Sequence, residues 1–176
     1  MANDKDLKVQ FLFKTLDRID QYIGLANLKA SFLIATLGIF LAIFFGNYKS
    51  ITSILGSGCL KWVDDILFFT IVVSALVTIW FPLKVISARL ESGETSGEYI
   101  SIFFWGSIKR LSYDTYRRKF DEYEYGNIVD DVIRQIKVLS DIADDKYRSI
   151  NRGITCLTIM LLQILVLLLL KLFVWS

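Results

Sequence analysis

A stretch in the second half of the sequence places five basic side chains among three aromatic ones. The basic residues are Lys109, Arg110, Arg117, Arg118 and Lys119, and the aromatic ones are Trp105, Tyr113 and Tyr116. Cationic side chains bind phosphate and aromatic rings stack on nucleobases, so this set could form a ligand-binding site for a nucleotide. The same charges could instead attract anionic lipid headgroups, at about 1 kcal/mol per charge. The sequence leaves both interpretations open.

Other chemistry is poorly represented. The chain contains no histidine, which removes the commonest general base and metal ligand. Adjacent aspartates could hold a cation, but neighbouring side chains on a helix point in different directions, so solvated carboxylates are the stronger interpretation. These pairs are Asp64–Asp65, Asp130–Asp131 and Asp144–Asp145. The sequence also lacks a phosphate-binding loop and a nucleophile motif. We therefore predict a protein that is not an enzyme and that uses neither a metal nor a cofactor.

Three uncharged apolar segments dominate the chain, at residues 30–46, 66–83 and 153–170. At about 1.5 Å of rise per residue, a helix of each length almost crosses a hydrocarbon core of about 30 Å. Inside lipid, backbone N–H and C=O groups must find partners within their own segment, which favours helices. The predicted fold class is an all-α membrane protein with three transmembrane helices.

The distribution of Lys and Arg predicts the orientation. Residues 1–29 and 84–152 carry most of the positive charges, whereas segments 47–65 and 171–176 carry few. By the positive-inside tendency, we expect the N-terminus and the 84–152 connection in the cytoplasm, and the first loop and C-terminus outside. A net charge of only +2 argues against a nucleic-acid partner and leaves membrane lipids as the expected surroundings.

Two amphipathic patterns flank the membrane segments. Apolar residues recur at helical spacing before the first span, which predicts one helix from about residue 7 to about residue 45, with Gly24 as its weak point. A second pattern follows Gly126, where Asn127 is a credible cap, and continues into the last span. We predict a cytoplasmic helical domain formed by these extensions, with the aromatic segment 99–108 as a wedge. Ser112 should cap a further short helix, and the only proline, Pro82, should kink or end the second span.

Lys29, Arg148 and Arg152 lie at the predicted boundary between water and lipid. If the long helices tilt, these side chains are candidate hinge anchors at the headgroup level. Snorkelling of their charged ends to the interface explains their positions equally well.

Small and polar residues within the spans suggest helix packing. Gly38, Ala42 and Gly46 recur every four residues, and Gln163 lies in the middle of the last span. Small faces allow close approach of helices, and a buried amide forms interhelical hydrogen bonds. The small face could pack inside the chain against the Thr70, Ser74 and Thr78 stripe of the second span, or between copies. Three spans enclose little of a pore, so we predict a homo-oligomer.

Several motifs together carry a family resemblance. They are Lys29-Ala-Ser31, Phe103-Phe-Trp-Gly106, Ser112-Tyr-Asp-Thr-Tyr116, and Arg134-Gln135 followed by Lys146-Tyr-Arg148. Over nearly its whole length the chain resembles the transmembrane effectors of bacterial Pycsar antiphage systems. The resemblance implies that a partner nucleotide cyclase releases cyclic UMP or cyclic CMP on infection. It also implies that the effector responds by impairing the inner membrane, which causes abortive infection.

The resulting hypothesis is a ligand-gated effector in which the helical domain binds a cyclic nucleotide and reorients the two long helices. The alternative is a non-toxic oligomeric membrane scaffold that recruits a cytoplasmic partner. A membrane enzyme is the weakest interpretation because the sequence shows no catalytic set of residues. Toxicity on expression separates an effector from a scaffold.

Overall fold

The computed structural model describes residues 2–47, 61–87 and 101–175. Within these ranges the chain is built from helices and contains no strand. The helices are α1 (Ala2–Gly46), α2 (Lys61–Ile86), α3 (Trp105–Ile108), α4 (Tyr113–Asp121) and α5 (Tyr125–Trp175). The all-α prediction is confirmed.

Helices α1, α2 and α5 are each long and apolar enough to cross a membrane, over Lys5–Gly46, Asp65–Ile86 and Tyr125–Leu170. Few side chains in their apolar windows are buried, and large apolar ones such as Phe32, Phe69 and Leu162 are exposed. Large exposed apolar surface is costly in water and neutral in lipid. The structure therefore confirms an all-α membrane protein with three spans.

Helix α1 passes through Gly24 without a break, as predicted. The predicted cap at Asn127 is wrong, because α5 begins two residues earlier and the Ile128 amide already donates to the Glu124 carbonyl. Helix α2 begins at Lys61, inside the segment predicted as a loop, and it does not end at Pro82. Proline is tolerated in a membrane helix where neighbouring groups satisfy the freed backbone, and Pro82 is buried.

Ser112 caps α4 as predicted: its side-chain oxygen accepts a hydrogen bond of 3.3 Å from the Thr115 amide. The helix ends at Asp121, two residues before the predicted end. The predicted extension of the second span to Leu90 and the predicted loop at 91–97 lie outside the described residues.

The chain divides into two compact units. The first unit comprises Met1–Leu25 and Ala88–Asp145, and the second comprises Ala26–Ser87 and Lys146–Ser176. Helices α1 and α5 therefore each contribute residues to both units.

The second unit holds its three helices together by apolar packing. One buried cluster contains Leu37, Phe44, Ile71, Ala75, Met160 and Leu167. A Cβ added at Gly153 would lie 3.3 Å from Phe81 Cβ and 3.7 Å from Leu33 Cδ1, so glycine allows close approach there. Such close packing is a main source of helix association in lipid.

In the first unit, the segment before α3 packs among the helices. Ile102 is buried, and the Phe103 ring meets the Phe13 ring edge-on at a centroid distance of 6.0 Å. The Tyr125 hydroxyl donates a 2.8 Å hydrogen bond to the Lys5 carbonyl, which ties the start of α5 to α1. The predicted aromatic wedge is therefore present in this unit.

Candidate functional site

A buried carboxylate organises the aromatic segment of the first unit. Asp131 Oδ2 accepts hydrogen bonds from Ser101 Oγ and the Ile102 amide, each at 3.0 Å. Ser101 Oγ in turn accepts from the amides of Phe103 and Phe104, at 3.1 and 3.0 Å. One side chain of α5 therefore fixes the backbone that carries both phenylalanines. Asp131 Oδ1 is buried and bonds no described residue. The bonds of Oδ2 must offset the free-energy cost of burying this unpaired oxygen.

The same segment lines a cavity of about 290 Å³ in the first unit. Phe13, Phe103 and Phe104 supply aromatic wall, and Leu16, Val132 and Leu139 supply aliphatic wall. Mostly apolar cavities with a few convergent polar groups are the usual form of a small-molecule site. Because Ser101 and Asp131 position two of the three rings, the shape of the cavity depends on that buried bond.

Two polar side chains complete the cavity wall: Asp20 on α1 and Gln135 on α5. Neither forms a hydrogen bond or ion pair with another described residue. Asp20 retains an exposed surface, whereas Gln135 is half-buried. Partial burial raises the pKa of Asp20 above its usual value, and the negative charge of Asp17 raises it further. Both groups therefore have free capacity for hydrogen bonds with a ligand.

The predicted nucleotide site and the cavity do not coincide. Lys109, Arg110, Tyr113, Arg117 and Arg118 are exposed, and none of them lines the cavity. A ligand role for this basic cluster stays a prediction.

The two remaining members of the predicted site have different positions. The Tyr116 hydroxyl donates a 3.3 Å bond to the Ile102 carbonyl, so it holds α4 against the aromatic segment. Trp105 is the first residue of α3, and its side chain lies outside what the structure describes.

In the second unit, Lys146 joins three helices. Its Nζ donates a 2.8 Å hydrogen bond to Asn27 Oδ1 on α1 and a second bond to the Val85 carbonyl in the last turn of α2. A cation is favoured there, because free carbonyls give the C-terminal end of a helix partial negative charge. From the sequence, Lys146 was only part of a family motif and one of the positive charges near the last span. Its place beside Tyr147 in the apolar stripe was the available signal.

The three predicted hinge anchors fall into two groups. Lys29 Nζ lies 5.3 Å from the centroid of the Tyr147 ring, a cation–π contact between α1 and α5. Arg148 and Arg152 are exposed. A hinge role for any of the three stays a prediction.

The small face of α1 does not pack inside the chain. Gly38, Ala42 and Gly46 are exposed, and a Cβ added at either glycine would meet nothing within 4 Å. The internal-packing interpretation of this face is therefore wrong, because α1 turns larger side chains such as Leu37 and Phe44 toward the core instead.

Polar side chains of the second and third spans form hydrogen bonds within the chain, and a role for Gln163 in oligomer packing stays a prediction. Ser74 Oγ donates to Gln163 Oε1 at 3.0 Å, an interhelical bond within one chain. The hydroxyls of Thr70, Ser74 and Thr78 also bond carbonyls of their own helix. Ser74 has one hydroxyl hydrogen, so its two bonds share it. The Gln163 amide nitrogen donates to no other described residue.

Comparison with known proteins gives one match. A family model described as the Pycsar effector protein domain matches residues 11–174. No curated protein and no solved structure shows significant similarity to the chain. Since the family model covers nearly the whole sequence, this multi-pass membrane protein belongs to the Pycsar effector family and is an effector of cyclic-nucleotide-linked antiphage defence.

Proposed function

We propose that the protein binds a cyclic pyrimidine mononucleotide, cyclic UMP or cyclic CMP, and then impairs the bacterial inner membrane. A nucleotide cyclase that senses phage is the proposed source of the ligand. The first unit lies in the cytoplasm with the N-terminus, and the C-terminus faces outward. The infected cell dies before phage mature, and the protein contributes no catalysis of its own.

The observation that carries this proposal is the continuity of α1 and α5. Each is a single helix with residues in both units, and each contains an apolar membrane segment. A change in how these helices pack in the first unit can therefore be transmitted along the same helices to their membrane segments. A ligand produces such a change only if it binds one arrangement better than the other.

A conduction pathway through the membrane would require more than one copy. Three spans enclose too little space for a pore, and the exposed face of Gly38, Ala42 and Gly46 supports contact between copies. We propose a homo-oligomer in which this face and the Gln163 amide are the contact elements. The proposal accounts for why α1 presents small residues away from its own core.

Coexpression with a pyrimidine cyclase tests the function directly. Cells that make both proteins should admit a membrane-impermeant dye and stop growing, whereas cells with the effector and an inactive cyclase should do neither. If the cells stay intact and grow in both cases, the proposed impairment of the membrane fails and the scaffold alternative is favoured.

A matched pair of variants tests whether α1 transmits a change in the first unit to its membrane segment. Leu25 and Leu28 are exposed and lie where the chain passes between units. Replacing both with glycine weakens the helix by about 1 kcal/mol per site relative to alanine. The double glycine variant should respond to the cyclase with less dye entry than the double alanine variant. Equal dye entry in the two would contradict transmission through a stiff helix.

A further inference from the structure

The cavity of the first unit combines three features that bear on what it could bind. It has aromatic walls, it contains a carboxylate and a carboxamide, and neither polar group bonds another described residue. Gln135 is half-buried and Asp20 keeps an exposed surface, so both side chains can offer hydrogen bonds to a ligand. Asp20 can only accept hydrogen bonds when ionised, whereas Gln135 can both donate and accept. The wall therefore suits a flat ring with an N–H group close to a ring nitrogen or carbonyl acceptor.

We infer that this cavity receives the base of a cyclic pyrimidine mononucleotide, with Asp20 accepting from the base and Gln135 donating to it. The inference rests on the proposed function and assigns its binding site. Cytosine offers its amino group to Asp20 and its N3 or O2 to Gln135. Uracil offers its N3–H group and a carbonyl. Phe13, Phe103 and Phe104 supply the apolar and aromatic surface that a base requires.

The charge of the cavity sets the orientation of the ligand. None of the described side chains that line it is cationic, and Asp20 is acidic. A phosphate inside would face a carboxylate at short range, which is unfavourable. The base therefore enters the cavity and the cyclic phosphate points away from Asp20.

The volume sets a limit on ligand size. At about 290 Å³ the cavity lies at the lower end of the range for small-molecule sites, about 300–1,000 Å³. A single base with part of its ribose fits such a space. We expect cyclic dinucleotides to be excluded.

Calorimetry on the full-length protein in lipid nanodiscs tests the assignment, with cyclic UMP, cyclic CMP and cyclic di-AMP as ligands. Wild type should bind at least one pyrimidine ligand and not the dinucleotide. Asp20→Asn and Gln135→Leu should each weaken binding by about tenfold or more, because the first removes the charge of the acceptor and the second removes the donor. Leu139→Trp should abolish binding by filling the cavity.

Asp17→Asn is the matched control. Asp17 lies one helical turn from Asp20, is exposed, and does not line the cavity. Removing its charge should leave the affinity for an anionic ligand unchanged or slightly raised. Weaker binding in Asp20→Asn but not in Asp17→Asn distinguishes a contact with the base from a general change in charge, whereas equal losses in both would contradict the contact.

Photo-crosslinking gives a readout that does not depend on mutant folding. The 5-iodo derivative of the bound nucleotide should form adducts at Phe103 or Phe104. Adducts confined to Tyr113 or Tyr116 would place the base at the basic cluster and overturn the cavity assignment. Wild-type affinity in all three cavity variants would also overturn it, while leaving the proposed function intact. If wild type binds neither pyrimidine nucleotide, the proposed function itself fails.

Discussion

Ser101 and Asp131 share a buried hydrogen bond of 3.0 Å that links the aromatic segment to α5. The two residues are thirty positions apart, and both side chains are almost fully buried. Ser101 uses its hydroxyl twice more, as the acceptor for the amides of Phe103 and Phe104. A single hydroxyl therefore mediates between one carboxylate and the backbone of two cavity-lining rings.

Ser101→Ala should destabilise the first unit by about 1–3 kcal/mol, because it leaves buried polar groups unpaired. The local signature is faster hydrogen exchange at the Phe103 and Phe104 amides, measured by mass spectrometry on protein in nanodiscs. Ser140→Ala is the control, since Ser140 only bonds a carbonyl of its own helix. Unchanged protection at 103 and 104 in the Ser101 variant would contradict the network.

Gly106→Ala should change the shape of the cavity by displacing the Phe104 ring, which lines it. An added Cβ would collide with Cε1 of the Phe104 ring and lie 3.1 Å from its Cζ, so the ring must move. We expect a loss of about 1–3 kcal/mol, typical of overpacking. Thermal unfolding in detergent, followed by circular dichroism, measures it.

Gly126→Ala provides the comparison for that variant. Gly126 lies in α5 with nothing within 4 Å of an added Cβ. Alanine there should raise stability by up to about 1 kcal/mol through helix propensity. Equal changes in stability for Gly106→Ala and Gly126→Ala would show that the Phe104 ring can move without cost.

The long helices were predictable because their signals are local. Apolar residues at helical spacing run from the amphipathic flanks into the spans, and only Gly24 interrupts the first pattern. Helix boundaries were less accurate: α5 begins before Asn127, at Tyr125. Periodicity also identified the small face of α1, without indicating whether this face packs inside the chain or is exposed.

The cavity was not predictable in the same way. Asp20 and Gln135 are more than a hundred residues apart, and each resembles an ordinary polar residue on an amphipathic helix. Asp131 was interpreted as one of a pair of solvated carboxylates, and this is wrong because Asp131 is buried and accepts a hydrogen bond from Ser101. Only tertiary packing reveals such pairs, whereas a basic cluster such as Arg117–Arg118 is visible in sequence wherever it lies.

Lys146→Met should destabilise the second unit. It removes the ammonium that bonds Asn27 and the Val85 carbonyl, and bonds to a charged group contribute about 1.5–3 kcal/mol each. Lys137→Met is a control on the same helix, because Lys137 pairs with Asp141 in a largely exposed (i, i+4) salt bridge of 2.8 Å. Exposed pairs of this type contribute about 0.3–0.5 kcal/mol. Thermal aggregation of the detergent-solubilised variants compares them, and equal midpoints would exclude a joining role for Lys146.

Substitutions at the Ser74–Gln163 hydrogen bond distinguish a role in the fold of one chain from a role in oligomer assembly. A double-mutant cycle with Ser74→Ala and Gln163→Leu should give a coupling energy of about 0.6 kcal/mol, and at most about 1.7, as for other interhelical bonds in membranes. Unfolding in mixed micelles measures this coupling energy.

If the Gln163 amide nitrogen also bonds a second copy, Gln163→Leu should reduce crosslinked oligomer and Ser74→Ala should not. Thr158→Val is the control, since its hydroxyl bonds only the Ile154 carbonyl of its own helix. Full oligomer in the Gln163 variant would confine that residue's role to the fold of one chain.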